Sequence, residues 1–142
     1  MRTTRINLLL GLGLLLAFGI ACNFSASTAN ISELKLGKGQ GATPETTSFA
    51  ANDTVYAVAT VSNVPDKVKV RGALSFEDVE GEQKGPIPGL EKTLDLPGSG
   101  TASYTFTPPP SGWPKGKYKI DVYLMDEGGQ QKDTKSATFT VS

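Results

Sequence analysis

From Asn30 to the end of the chain, apolar and polar residues alternate with a period of two, and glycine and proline bound each run. Successive side chains of a β-strand point to opposite faces, so this spacing predicts strands with one buried face. The alternation is clearest at 55–61, 68–76, 102–106, 118–124 and 137–141. No window after residue 30 has helical spacing. The sequence therefore predicts one all-β domain over residues 30–142.

Breaks between the runs divide this domain into about seven strands, the number typical of a two-layered sandwich. A long loop is predicted over Gly37–Ser48, after a first strand marked by Leu34 and Leu36. The acidic segment Glu77–Glu82 and the segment Gly85–Gly89 interrupt the pattern. Prolines 108–110 cannot donate hydrogen bonds, so strand pairing must stop there. A hairpin turn is predicted at residues 126–129.

The N-terminus has a different character, with Arg2 and Arg5 followed by the uncharged apolar stretch Leu8–Ala21. As a helix, 14 residues would span about 21 Å, which is short for a bilayer core of about 30 Å. The stretch ends in small residues at Cys22, the only cysteine of the chain. This layout resembles the lipobox signal of bacterial lipoproteins. Gly19 departs from that pattern, in which a leucine-like residue is usual three places before the cysteine.

The resemblance implies a signal peptide over residues 1–21 that inserts as a helix, and a Cys22 that is acylated, for example with palmitate. Residues 22–29 would then form the lipidated start and a flexible tether. The domain would be held outside the cytoplasm on a bacterial membrane, on the periplasmic side or at the cell surface. An alternative is cleavage after Ser27-Thr28-Ala29, which would release a soluble protein that begins at Asn30.

A second resemblance lies in residues 116–122, Gly-Lys-Tyr-Lys-Ile-Asp-Val. They are similar to the start of strand F in immunoglobulin-like domains, where a tyrosine corner lies. The resemblance implies an immunoglobulin-like antiparallel β-sandwich, with the Tyr118 hydroxyl bonded to backbone in the loop before its strand. Tyr118 as a core aromatic with a solvated hydroxyl is the alternative. Ile120 stands where antibody domains have cysteine, so the likeness is to disulfide-free, fibronectin type III-like relatives.

The composition argues against catalysis. The chain has no histidine, and acylation would consume its one thiol. The common general base, the common zinc ligand and the usual nucleophile pairs are therefore missing. Acidic clusters at Glu77–Glu82 and Asp126-Glu127 lack the spacing of a calcium loop. We predict no enzyme activity, no metal and no cofactor.

The charge balance gives no reason to expect nucleic acid as a partner, because 14 basic residues face 14 acidic ones. Trp113, between Gly112 and Pro114, is predicted to plug one end of the core. A sugar would then not stack on it. Tyr56 and Tyr123 are predicted to point outward from different sheets, so they could not hold one ligand together.

The most suggestive surface is the outer face formed by residues 67–77 and 117–125. Antiparallel pairing is expected to bring Lys67 and Lys69 near an exposed corner of Tyr123 and Met125. The same pairing would place Arg71 near Asp121 and Glu77 near Lys117. This corner is the candidate contact for a cell-envelope protein or polysaccharide. The sequence thus predicts a lipid-anchored, non-enzymatic binding or structural module; the alternative is a calcium- or carbohydrate-binding module, tethered or secreted.

Overall fold

The computed structural model describes residues 28–142, and the predicted all-β fold is confirmed there. One 3₁₀ turn, Gln40–Ala42, accompanies eight strands. No helix in this part of the chain has the length and apolarity needed to cross a bilayer. The predicted signal peptide, Cys22 and most of the tether lie outside the described residues. In chain order the strands are β1 (Asn30–Gly37), β2 (Ser48–Phe49), β3 (Val55–Ser62), β4 (Val68–Val79), β5 (Gly85–Leu96), β6 (Gly100–Phe106), β7 (Gly116–Asp126) and β8 (Gln131–Val141).

The strands form a three-stranded sheet with the order β1-β3-β6 and a five-stranded sheet with the order β2-β8-β7-β4-β5. All pairs are antiparallel except β2 with β8, which is parallel. The prediction of about seven strands, all antiparallel, was therefore wrong in this detail. Strand β2 has two residues, too few for alternation to reveal, and it begins at Ser48, where the sequence predicts the end of a loop.

The two sheets pack face to face around one apolar core. Alternation is complete in β3, where every second residue from Val55 to Val61 is buried, and it is nearly complete in β7. Burying these side chains drives the two layers together. The largest fully buried side chains come from both sheets: Phe49, Val55, Val61, Val70, Leu74, Tyr104, Tyr118, Ile120, Val122, Leu124 and Phe139.

Two contacts show which strands face each other. The Tyr104 hydroxyl of β6 donates to the carbonyl oxygen of Val70 in β4 at 2.7 Å. At the other side, the amide of Ile31 in β1 donates to the Asp133 carboxylate of β8 at 2.8 Å. The three strands of the small sheet therefore cover β4, β7 and β8, and β5 extends beyond β6.

Strand β5 begins earlier than the sequence indicated. Residues 85–89 were predicted to break the pattern, but β5 runs without interruption from Gly85 to Leu96. Pro86 lies opposite Ser75 and Glu91 opposite Ala73, so residues 87–90 bulge out of the ladder. The bulge explains why an interruption was predicted at residues 85–89, because it abolishes the alternation without ending the strand.

Two further boundaries differ from the prediction. Strand β4 continues to Val79, into the segment assigned as an acidic interruption, because a bulge after Phe76 shifts its alternation. Ala29, assigned to the tether, is 9% exposed and belongs to the core cluster. The folded domain thus begins slightly before its first strand.

Candidate functional site

The surface predicted to contact a partner lies on the outer face of the five-stranded sheet, where β4 and β7 pair. Lys69 stands opposite Met125, and Arg71 opposite Tyr123. Lys67 precedes the first residue of β4 and lines the same end of the sheet. Tyr123 and Met125 are half-buried rather than fully exposed. We call Lys67, Lys69, Tyr123 and Met125 the corner surface.

The expected pairing of Arg71 was off by two residues and that of Glu77 by one, whereas Lys69 lies near Met125 as expected. Arg71 was expected near Asp121, but Asp121 lies opposite Ala73. Glu77 was expected near Lys117, but a bulge puts Asp78 there. A slip of two residues keeps every side chain on its own face, so alternation cannot distinguish the two registers.

Inward packing requires a glycine at residue 72. Gly72 lies on the inner face of β4, directly under the Tyr104 ring of β6. A Cβ atom at residue 72 would stand 2.8–2.9 Å from three atoms of that ring. The aromatic ring therefore requires a glycine at this place in β4, and Val122 pairs with it from β7.

Arg71 connects the corner surface to β5. Its guanidinium carbon lies 4.6 Å from the centre of the Tyr123 ring, within the range of a cation–π contact. One terminal nitrogen is 3.8 Å from the Glu91 carboxylate. The buried Nε atom has no hydrogen-bond partner within residues 28–142. The arginine thus stiffens Tyr123 against the sheet.

The remaining charges of this face are paired locally. Asp121 contacts Lys119 at 3.5 Å and accepts a hydrogen bond from Ser136. Glu77 contacts Lys84 at 3.3 Å. Exposed pairs of this kind contribute at most about 1 kcal/mol each. They leave the face close to neutral, with no strong field for an ionic ligand.

At the end of the corner surface the sheet carries a shallow groove of about 470 Å³. Lys67, Lys69, Leu96 and Glu127 line it. Asn30, where β1 starts, is at this same end of the sandwich, because it pairs with Ser62 at the end of β3. The corner surface is therefore at the same end of the domain as the point where the chain enters it.

The predicted structural aromatics lie at the opposite end. The Tyr118 hydroxyl donates to the carbonyl oxygen of Pro114 at 2.6 Å, which is the predicted bond to backbone in the loop before its strand. Its ring stacks on Phe139 at 5.1 Å. Burial, with a smaller contribution from the charge of Glu82, raises the pKa of Tyr118 to about 12. The hydroxyl is therefore neutral and acts as a donor.

Trp113 closes the core beneath Tyr118. It is 4% exposed, and its ring meets Tyr118 edge-to-face at 5.9 Å. The indole Nε1 donates to the carbonyl oxygen of Asp53 at 2.8 Å, and the backbone amide donates to Ala51 at 2.7 Å. The indole face is consequently covered by protein and does not form an open platform.

Asp53 organises the loop on which Trp113 rests. Its carboxylate accepts the amide of Ala50 at 2.8 Å and contacts Lys38 at 3.2 Å. The bond from Ala50, followed by Lys38, lowers the pKa of Asp53. The sequence carries no signal for this role, because an aspartate between strands is ordinary in a turn.

Because the pKa of Asp53 is lowered in the folded protein, we expect the fold to lose stability in acid. A carboxyl with a lower pKa in the folded state stabilises the fold above its unfolded pKa, near 3.9, and stops doing so as pH falls through the folded value. We expect Asp53→Asn to flatten the loss of stability below about pH 4. Urea unfolding at several pH values measures this, with Asp66→Asn as the control. An unchanged acid dependence in Asp53→Asn would contradict the assignment.

Among residues 28–142, no three acidic, histidine or cysteine side chains converge on one point. Asp126 instead closes its turn, with its carboxylate accepting the amide of Gln130 at 2.9 Å. Gly129 supplies the left-handed backbone, with φ at 83°. This cluster is accounted for by a β-turn.

Comparison with known proteins gives a fold but no family. No family model and no curated protein matches the chain. The β-glucuronidase 2 structure from Bacteroides uniformis matches with a TM-score of 0.50 and 12% identity, over 79% of this chain and 14% of that one. The PmoD soluble domain from Methylocystis sp. ATCC 49242 (Rockwell) matches with a TM-score of 0.45 and 19% identity, over 78% of this chain and 90% of that one. A Niemann-Pick type C2 protein from the Japanese carpenter ant matches with a TM-score of 0.49 and 11% identity, over 82% of this chain and 96% of that one. Likeness at this identity extends to the fold alone.

Proposed function

We propose that the protein is an exported lipoprotein that displays a non-enzymatic binding or structural domain at a bacterial membrane. The observation that carries the proposal is the sequence around Cys22: a basic start, a short apolar stretch and small residues directly before the chain's only cysteine. Cys22 would carry the lipid, and the domain would act by contact. The absence of histidine from the chain supports a role without acid–base catalysis.

We further propose that the domain is immunoglobulin-like. In that architecture strands A, B and E share one sheet, and C, F and G share the other. The observed orders fit if β1, β3 and β6 correspond to A, B and E, and β4, β7 and β8 to C, F and G. The bond from Tyr118 to Pro114 supports the correspondence, because a tyrosine corner lies at the start of strand F.

The corner surface is the contact we propose for an envelope partner. Because Ala29 belongs to the core, the proposed tether has six residues, 23–28, and would reach roughly 13 Å as a random coil. Because the chain enters the domain at the end where Lys69 and Met125 lie, this surface would stay near the membrane. Its partner would be a protein or polysaccharide close to the bilayer. The Trp113 end would point away from it.

The anchor is tested by metabolic labelling with an alkyne fatty acid in cells. We expect label on the native chain and none on Cys22→Ser, with Ser25→Ala as a control that keeps the label. Mass spectrometry should find an acylated Cys22 as the first residue. An unmodified amino terminus at Asn30 would refute the anchor and leave a secreted domain.

Contact is tested in the same cells with a photo-crosslinking residue at position 123 or at position 56. Both tyrosines are half-buried and face outward, but Tyr56 is on the other sheet. We expect one discrete adduct from position 123, lost in Lys67→Glu/Lys69→Glu, and none of that mass from position 56. Equal adducts from both positions would remove the corner surface from the proposal.

A further inference from the structure

The free edge of β6 is unusual among the sheet edges of this domain. Among the described residues, β6 is hydrogen-bonded to β3 on one side only, and the small sheet ends there. Residues 100–106 contain no proline and no charge. The outward side chains are Thr101, Ser103 and Thr105, which favour strand pairing. A backbone edge of this kind is a ready template for another strand.

The edges formed by β5 and β1 carry protection, and the remaining edge strand, β2, has only two residues. Strand β5 has Pro86 and Pro88, a four-residue bulge and several charges. Strand β1 has an irregular pairing near Ile31, whose amide is held by Asp133. Prolines, bulges and charges are the usual means by which edges avoid pairing. Their absence from β6 singles it out.

The space beside β6 has an apolar floor. Because β6 covers β4, the next strand of the large sheet, β5, extends beyond it. Leu94 and Leu96 share the inner face with Val70 and Val68, their partners on β4, yet they are only partly buried. Val70, by contrast, is fully buried. The floor of β5 is therefore apolar surface without a strand above it.

An apolar groove continues this floor toward the Trp113 end. It measures about 460 Å³ and lies between the β5 bulge and the loop after β6. Its apolar lining is Phe76, Ile87, Leu90, Pro109 and Trp113. We call this groove, with Leu94 and Leu96, the edge groove.

We propose that the edge groove binds an extended peptide segment of a partner protein, which adds as a strand to β6. Backbone hydrogen bonds to β6 would supply affinity, and alternate side chains on the β5 floor would supply specificity. Lys92 shares the inner face of β5, is exposed and makes no ion pair within residues 28–142. The segment therefore carries apolar residues at every second position, interrupted by one acidic residue opposite Lys92.

The space beside β6, above β5, fits a single added strand better than a second copy of the chain. Strands in a sheet lie about 4.8 Å apart. If two copies paired antiparallel through β6 in one continuous sheet, the β5 strand of each copy would occupy the place of its partner's β4. The chain's own residues 23–27 offer one large apolar side chain, Phe24, and cannot supply the alternation.

The proposal is tested with a phage library of linear twelve-residue peptides selected on the full chain in detergent micelles. We expect selected peptides to show apolar residues at alternate positions with an acidic residue among them. Bound peptide should slow hydrogen exchange of β6 amides. Leu94→Gln should weaken binding about tenfold, as loss of one buried leucine contact implies, whereas Thr93→Gln on the opposite face should change it less than twofold.

Lys92→Glu keeps the test decisive if Leu94→Gln fails to fold, because residue 92 is exposed. This substitution should weaken the binding of peptides that carry the acidic residue. It should leave unchanged the binding of peptides in which glutamine replaces that residue. Failure to enrich alternating peptides would overturn the proposal. So would unprotected β6 amides, an equal loss in Thr93→Gln, or a dimer of the chain that forms through β6. The test does not depend on acylation of Cys22.

Discussion

Replacing Trp113 by alanine is expected to lower the free energy of unfolding by about 3–5 kcal/mol, the usual cost of removing a buried tryptophan. The side chain is 4% exposed and supports the Tyr118 ring edge-to-face. Its removal also leaves the Asp53 carbonyl oxygen without its indole donor. Urea unfolding followed by circular dichroism measures the effect.

Two control variants separate these contributions. Trp113→Phe keeps a ring but loses the N–H group, and we expect a loss that includes about 1–3 kcal/mol for the unpaired acceptor. Tyr56→Ala removes a half-buried aromatic from the outer face and should cost less than Trp113→Ala. A Trp113→Ala protein within 1 kcal/mol of the native chain would contradict the role of a core plug. It would reopen the carbohydrate alternative, which requires glycan binding that depends on Trp113.

Substituting Gly72 by valine is also expected to destabilise the fold, for the opposite reason. Even a Cβ atom would approach the Tyr104 ring to 2.8 Å, and valine adds two methyl groups. Tyr104 is 2% exposed and tied to Val70, so the ring has little freedom to move away. Overpacking of this kind costs about 1–3 kcal/mol and sometimes more.

A double-mutant cycle identifies the clash. Tyr104→Leu should be destabilising alone, but Gly72→Ala should cost clearly less in that background than in the native chain. Gly100→Ala is the matched glycine control, because no atom lies within 4 Å of a Cβ atom there. Additive effects of the two substitutions would show that the Tyr104 ring does not set the requirement for glycine.

The sequence predicted the strands because burial of one face imposes a period of two, and β3 and β7 obey it almost without exception. It failed where the backbone breaks that period without leaving the sheet. The bulge at residues 87–90 concealed half of β5, and the bulge after Phe76 concealed the end of β4. Strand β2 was too short to carry any pattern.

The sequence predicted on which face of the sheet each candidate residue lies, but not which residue lies opposite it on the next strand. Parity alone placed Lys69, Tyr123 and Met125 on the outer surface, but it could not fix which residue lies opposite Arg71. The need for glycine at residue 72 was also hidden, because it comes from the Tyr104 ring of the other sheet, a contact between distant parts of the chain. The supporting role of Asp53 was hidden for the same reason, since it depends on Trp113, 60 residues away.

Strand β1 is where any tension between a lipid and a bound envelope component would enter the domain. A pull on Asn30 acts along the axis of β1, whose antiparallel bonds to β3 extend from Asn30 to Gly37. Those bonds would be sheared together instead of being unzipped one after another, and the bond from Ile31 to Asp133 would carry part of the load to the second layer. The proposed anchor would thus join the domain at a strand whose whole length of pairing resists axial tension.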